Sequence, residues 1–293
     1  MRKIEQLNSD LHQRYHQILK KTFDAFDTFC KDHDIQYIAA YGTVIGAVRH
    51  NGIIPWDDDM DVFMLKADYD RFISLKKSLM NSGYEIVDHH DKNYYLPYAK
   101  FCDANTTIWE QRDNECIIGV FIDVFPLFES TGILAEDEMK CSSLMSVFNK
   151  YATGVRKQRF SSFIKMVLGG NVRGIYRWLR DSIFYKKNWK KYIKQFDFLN
   201  AQYARQHGDY LACYFYQPVS EEIWNRKLIL PTVDWEFENR TIPIPNGYHD
   251  FLTAFYGDYM KFPPVEEQKS QHYHYFVDLD RRMTIQQIKA KIR

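Results

Sequence analysis

Leu11, Tyr15, Ile18, Leu19, Phe26, Phe29 and Cys30 recur at helical spacing, which predicts a long amphipathic helix over residues 3–33. Residues 34–41 read as a strand ending at Gly42, and the small residues of 43–48 as one or two helical turns. A loop over 49–56, closed by Pro55, leads into the apolar run of 59–65, the next strand. A helix over 68–80 follows, then β segments over 84–88, 94–101, 105–110 and 116–125. Helical patterning fills much of 135–207, interrupted at Gly169-Gly170. Short strands over 235–244, a helix over 248–256 and a turn at Pro263-Pro264 complete the pattern. Helices packed on a mixed sheet give an α+β class.

Composition narrows this only slightly. A chain of 293 residues that is 45% hydrophobic and 16% aromatic carries enough apolar surface for a core and is not disordered. Cys30, Cys102, Cys116, Cys141 and Cys213 are scattered without a C-x-x-C pair, as expected of reduced thiols. The opening Met-Arg-Lys-Ile-Glu-Gln has no apolar signal-type stretch, and no run is long enough to span a bilayer, so a cytoplasmic location is expected. The net charge of +1 conceals an asymmetry: residues 150–194 hold thirteen Lys or Arg against one acid, Asp181. Aromatic and aliphatic residues are interleaved there. Three readings stand open: contact with an anionic membrane on its inner face, a solvated basic face, and, least favoured, nucleic acid.

The chemistry concentrates in Asp57-Asp58-Asp59-Met60-Asp61, directly ahead of Val62-Phe63-Met64-Leu65. Asp59 and Asp61 are two apart, so on a strand both project from one face, where like charges persist only with a cation between them. All-oxygen ligands suit Mg²⁺ or Mn²⁺. A solvated acidic turn is the bland alternative. A calcium loop is excluded, because Val62 and Asp68 stand where it needs Gly and Glu. Asp123 lies alone within Phe121-Ile-Asp-Val-Phe125, and a buried carboxylate there needs either a metal or a Lys or Arg partner. Upstream, Gly42-Thr43 opens a helix whose first-turn N–H groups suit phosphate oxygens.

The block Tyr41-Gly-Thr-Val-Ile-Gly-Ala-Val-Arg-His-Asn-Gly-Ile-Ile-Pro-Trp-Asp-Asp-Asp-Met-Asp-Val resembles the LicD/fukutin-type family of phosphotransferases nearly residue for residue. Tyr98-Ala-Lys100, Phe121-Ile-Asp-Val-Phe-Pro126, Ile242-Pro-Ile-Pro-Asn-Gly-Tyr248 and Tyr256-Gly-Asp-Tyr-Met260 extend the resemblance. It implies a nucleotidyltransferase-like mixed sheet flanked by helices, with a catalytic core over 1–134, a basic helical insertion over 135–210 and a completing part over 211–293. It also implies transfer of a phosphoryl-linked group, phosphocholine or a polyol phosphate, from a CDP-linked donor to a sugar hydroxyl of a glycan or lipid-linked glycan, releasing CMP. The cysteine zinc site of some animal relatives has no counterpart in this sequence.

Under that reading Asp59, Asp61 and Asp123 are catalytic carboxylates and metal ligands, with Asp57 a third or supporting ligand, and Asp123 alternatively accepts the proton of the incoming hydroxyl. Gly42 and Thr43 bind donor phosphate, Arg49 and Lys100 neutralise it, and Trp56 stacks on a base or caps the core. His272 and His274, after the Pro263-Pro264 turn, could reach the pocket but read more readily as packing or surface residues. Two other functions use the same residues: nucleotidyl transfer from an NTP with pyrophosphate release, and nucleotide or metal binding without turnover.

Overall fold

The computed structural model of the protein describes residues 9–270, 272 and 274–292. Helix α1 (Ser9–Asp32) carries the first amphipathic pattern; residues 3–8 of the expected helix lie outside the described residues. Its apolar stripe (Tyr15, Leu19, Phe23, Phe26, Cys30) is buried. Each such side chain contributes about 1.5–3 kcal/mol by leaving water. Strand β1 (Ile38–Ala39), helix α2 (Tyr41–Ile45, continued by a π-type turn over Gly46–His50), strand β2 (Asp61–Leu65) and helix α3 (Lys66–Ser74) follow. Then come β3 (Tyr84–Val87), β4 (Ala99–Asp103), β5 (Thr107–Trp109) and the ten-residue β6 (Phe121–Ser130).

One sheet runs in the order β1-β2-β6-β4-β3, with β2 and β6 parallel and the other neighbours antiparallel. The far half of β6 pairs with β7 (Tyr210–Ala212), which pairs with β8 (Ile223–Asn225). Side-chain alternation gives the sheet two distinct faces. Phe101 of β4 meets Phe26 of α1 and Phe72 of α3, so these helices share one face. Phe63 and Phe125 point the other way, into Tyr41, Trp224 and Tyr216.

Between β6 and β7 lie α4 (Leu134–Val155), α5 (Phe160–Leu168), α6 (Val172–Leu179) and α7 (Lys186–Tyr203), and Gly169-Gly170 separates α5 from α6 as expected. Phe148 of α4 packs on Phe196 of α7. A buried network fixes the start of α4, where Asp137 accepts from Ser130 (2.5 Å) and Tyr214 (2.6 Å) and pairs with Lys140. After β8 come the short α8 (Arg226–Ile229), the hairpin β9 (Val233–Phe237) and β10 (Arg240–Ile244), then α9 (Tyr248–Tyr256). Phe251 of α9 covers Phe63. Finally β11 (Phe276–Asp278) pairs with β5 and α10 (Ile285–Lys291) follows.

Several expected boundaries move. The strand over 34–41 contracts to two residues because the Ile35 N–H donates to Cys30 O (2.9 Å), capping α1 instead of pairing in the sheet. The strand expected from residue 59 starts at Asp61, so Asp59 belongs to the preceding loop and not to the strand. The segment expected over 94–101 starts at Ala99, since Tyr94 closes a turn on Asp91. β6 extends past Pro126 to Ser130.

Candidate active site

Sheet register builds the centre of the site. Asp61 is the register partner of Asp123 across parallel β2 and β6, and Asp123 is the partner of Lys100 across antiparallel β4. Two carboxylates and one ammonium therefore stand in a row on three adjacent strands, on one face. Asp59 reaches the same point from the loop ahead of β2: ligand oxygens of Asp59, Asp61 and Asp123 lie within 4.8 Å of one another. The two-residue spacing thus brings Asp59 and Asp61 together although only Asp61 is on a strand.

The loop is held from both sides. The Asp61 N–H donates to Thr43 Oγ1 (2.8 Å), joining the Gly-Thr helix to the first residue of β2. The Ala40 N–H donates to Asp61 O and the Asp123 N–H to Met60 O, extending the ladder to the site. A Cβ on Gly42 would lie 3.2 Å from Asp57 Oδ2, so glycine leaves room for that carboxylate beside the helix start. Gly46 is constrained more tightly: a Cβ there would meet Gly52 O at 2.5 Å, where the loop folds back onto α2.

Electrostatics follow from crowding. Burial, then repulsion from Asp59, Asp123 and Asp57, pushes the Asp61 carboxyl well above the usual carboxylate range. Burial, with repulsion from Asp123 and Asp58 and against the pull of His272, raises Asp59 to about 6; burial, with repulsion from Asp59 and Asp58, raises Asp57 to about 8. Asp123 is raised by burial against the pull of Lys100, whose ammonium sits 2.7 Å away and 3.5 Å from Glu110. Burial would lower Lys100, but Asp123 and Glu110 hold it well above its ordinary value. The Lys100 ammonium and the His272 imidazole at the rim together cannot neutralise Asp57, Asp58, Asp59, Asp61 and Asp123. An array of hard oxygen donors that retains protons for want of positive charge fits a divalent cation. Asp59, Asp61 and Asp123 would hold it, with Asp57 adjoining. Asp123 therefore has the lysine that its burial called for as one alternative, and it stands among carboxylates that could hold a cation, the other.

His272 and His274, read from sequence as packing or surface residues, reach the site from the C-terminal segment. His272 Nδ1 lies 2.8 Å from Asp58 Oδ1 and its Nε2 3.4 Å from Asp59; His274 Nε2 lies 3.4 Å from Asp58 Oδ2. Burial would raise Asp58, but hydrogen bonds with His272 and His274 hold its carboxyl well below the usual range. His272 is raised to about 9, first by its hydrogen bond with Asp58. The buried Tyr15 hydroxyl has no hydrogen-bond partner among the described residues and lies in the field of Asp58, Asp59, Glu110 and Asp123. Nothing local in the sequence marks Tyr15, Glu110 or His272, whose roles arise from chain crossings; helical periodicity alone places Tyr15 in the core.

Arg49 and Trp56 form an adjoining cluster. Arg49 donates to the carbonyls of Tyr259 (2.6 Å) and Lys261 (3.2 Å), and its guanidinium lies over Phe262 and Trp56. Trp56 meets His50 and Phe262 edge-on or tilted. The arginine thus ties the Pro55-Trp56 loop to the segment after α9. Tyr216 and Tyr256 are partly exposed, and burial followed by the charge of Asp61 raises both phenols.

A parallel strand pair presenting acids beside a Gly-Thr helix start is the arrangement of a nucleotidyltransferase-type domain. A family model described as LicD/FKTN/FKRP, nucleotidyltransferase domain, matches residues 34–163. Lipopolysaccharide cholinephosphotransferase LicD of Haemophilus influenzae is 30% identical over 255 residues, covering 85% of this chain and 91% of that protein. Uncharacterized proteins of Rickettsia typhi and Rickettsia prowazekii are 35% and 32% identical over 81 and 71 residues, which are 28% and 24% of this chain and 24% and 25% of those proteins. The chain belongs to the LicD family.

Proposed function

We propose that this protein transfers phosphocholine, or a closely related phosphoryl-linked alcohol, from a CDP-activated donor to a sugar hydroxyl of a glycan or its lipid-linked precursor. The observation that carries the reading is the convergence of Asp59, Asp61 and Asp123, in a chain whose Haemophilus influenzae relative is named a lipopolysaccharide cholinephosphotransferase. A bound Mg²⁺ or Mn²⁺ would supply charge neutralisation to the diphosphate.

The residues divide the remaining work. Asp59 and Asp61 would hold the cation with Asp123, and Asp57, beside the start of α2, is the supporting ligand. Asp123, at the Lys100 ammonium, accepts the proton of the incoming hydroxyl as its oxygen bonds to the transferred phosphorus and the bond to the CMP oxygen breaks. The Gly42 N–H at the start of α2 faces donor phosphate; the Thr43 N–H is taken by Ala40 O (2.9 Å), so Thr43 acts by fixing the turn, while Lys100 sets the charge of Asp123. Arg49 fixes the loop that carries Trp56 beside the site and offers its remaining N–H groups to phosphate. Tyr216 and Tyr256, partly exposed aromatic side chains in the field of Asp61, are of a type that suits a quaternary ammonium, which favours choline as passenger.

The test is incubation with Mg²⁺, a sugar acceptor and a panel of CDP-alcohols, with nucleotide products resolved by chromatography. CMP is expected from CDP-choline, with none from Asp61→Asn. Pyrophosphate released from an NTP, without CMP from any CDP-alcohol, would replace this reading with nucleotidyl transfer.

A further inference from the structure

We propose that the helical hairpin formed by α5 and α6 docks the protein on an anionic lipid surface. On the hairpin and the turn after it, exposed apolar side chains collect in larger number than on any other stretch of similar length among the described residues. No residue of α5, α6 or the turn over Arg180–Tyr185 is buried among the described residues. Phe160, Ile164 and Leu168 are exposed at four-residue spacing on α5, and Val172, Tyr176 and Ile183 continue an exposed row along α6 and the turn after it. The two rows meet at the Gly169-Gly170 turn, where Leu168 is 83% and Val172 75% exposed.

This surface is left over after the hairpin has packed. Its inner side is closed by Phe163 against Trp178, ring centroids 4.6 Å apart, and by the Trp178 indole N–H donating to Arg159 O (3.3 Å). Its base is fixed to the body, since the Lys157 N–H donates to Asp113 O (2.7 Å) and the Arg159 guanidinium pairs with the Asp113 carboxylate (2.6 Å). Asp113 follows three residues after Glu110, which touches Lys100 of the site. The hairpin is therefore a folded element with an apolar outer row, anchored through the loop that also serves the acidic centre.

Charge selects the occupant. Arg159 and Arg180 are paired with Asp113 and Asp181, while no carboxylate pairs with Lys165, Arg173 or Arg177 among the described residues. Apolar rows flanked by unpaired cations match the interfacial zone of a bilayer, where the rows enter the acyl boundary and the cations meet phosphate headgroups. A second copy of the same patch would bring two basic surfaces together, which opposes self-association. The tip itself, Leu168 and Val172, is aliphatic and offers no stacking platform, so an acyl boundary suits it better than a base.

The test is flotation of the purified full chain with phosphatidylcholine vesicles, with and without phosphatidylglycerol, at low and high salt. Binding is expected to be at least about tenfold stronger to the anionic vesicles and to weaken with salt. Leu168→Asp with Val172→Asp, and separately Arg173→Glu with Arg177→Glu, should each weaken it by about tenfold or more, with helical content and melting temperature unchanged. Equal binding to neutral vesicles, no binding to either, or variants that bind like the wild type would overturn the proposal. So would a wild-type dimer that Leu168→Asp dissociates, or tight oligonucleotide binding with vesicles ignored. The assay needs no turnover, so its failure leaves the transferase reading standing, and absence of CMP release leaves this one standing.

Discussion

The acidic row on β2 and β6 and the α5–α6 hairpin break opposite rules of burial. At the row, groups that favour water are enclosed: Asp123 and Lys100 are buried, and Asp61 stands beside them. On the hairpin, groups that avoid water are exposed, with Leu168 and Val172 at its tip. The row is over-determined by strand register, by the Thr43 hydroxyl on the Asp61 N–H and by the Lys100 ion pair. The hairpin is fixed at its base and along its inner side. A site for chemistry needs atoms that cannot move relative to one another, whereas a docking surface needs only a folded face to present.

Substitutions should separate the two regions. The largest effect is expected from Asp61→Asn, which should lower CMP release by on the order of 10³-fold or more while leaving the melting temperature unchanged or raised, because it relieves repulsion among buried acids. Activity and thermal melting of one preparation check both halves. Lys100→Met comes next: it leaves Asp123 buried without a counter-charge and should cost about 3–5 kcal/mol in denaturant unfolding. The matching cation of the hairpin, Arg177→Ala, should change stability by no more than about 0.5 kcal/mol. Equal costs would erase the contrast.

Arg49→Ala should cost about 1–3 kcal/mol through two lost carbonyl hydrogen bonds and the stack on Phe262 and Trp56, and proteolysis should become faster near residues 259–262. A raised KM with unchanged stability would instead give Arg49 a role on substrate alone. The smallest effect is expected at the contact of α7 with the turn after β3. His90 bonds to Asp197 of α7 and to Asp88, which raise it to about 10. A histidine raised on folding contributes stability fully present below about pH 6.5 and lost as pH rises through about 10. His90 is half exposed, so the contribution at neutral pH should be at most about 1 kcal/mol. The wild type and His90→Gln should therefore differ near pH 6 and converge above pH 10, as thermal melts across that range would read.

Much of the acidic centre was legible because its signals are local. Asp59-Met60-Asp61 ahead of an apolar run, and Asp123 within another, mark themselves by charge against hydrophobic pattern. The long amphipathic α1 and the Gly169-Gly170 break were legible for the same reason. Contacts between distant segments were not. His272 stands more than two hundred positions from Asp58, and no periodicity carries it there. The register that sets Lys100 beside Asp123 depends on pairing of β4 with β6, which alternation within either strand leaves open. The strands β7, β8 and β11, three residues each, are too short for a period-two pattern to stand out. Asp59 fell off its expected strand because a turn, in which the Asp57 N–H donates to Ile54 O, delays the start of β2.

The central claim is that Asp59, Asp61 and Asp123 act as one divalent-cation site, and Mn²⁺ titration followed by electron paramagnetic resonance tests it most directly. The wild type is expected to bind Mn²⁺ saturably, with Mg²⁺ competing, and Asp61→Asn and Asp123→Asn should each weaken binding by about tenfold or more without loss of fold. Mn²⁺ bound equally well by the folded Asp61→Asn and Asp123→Asn variants would contradict it.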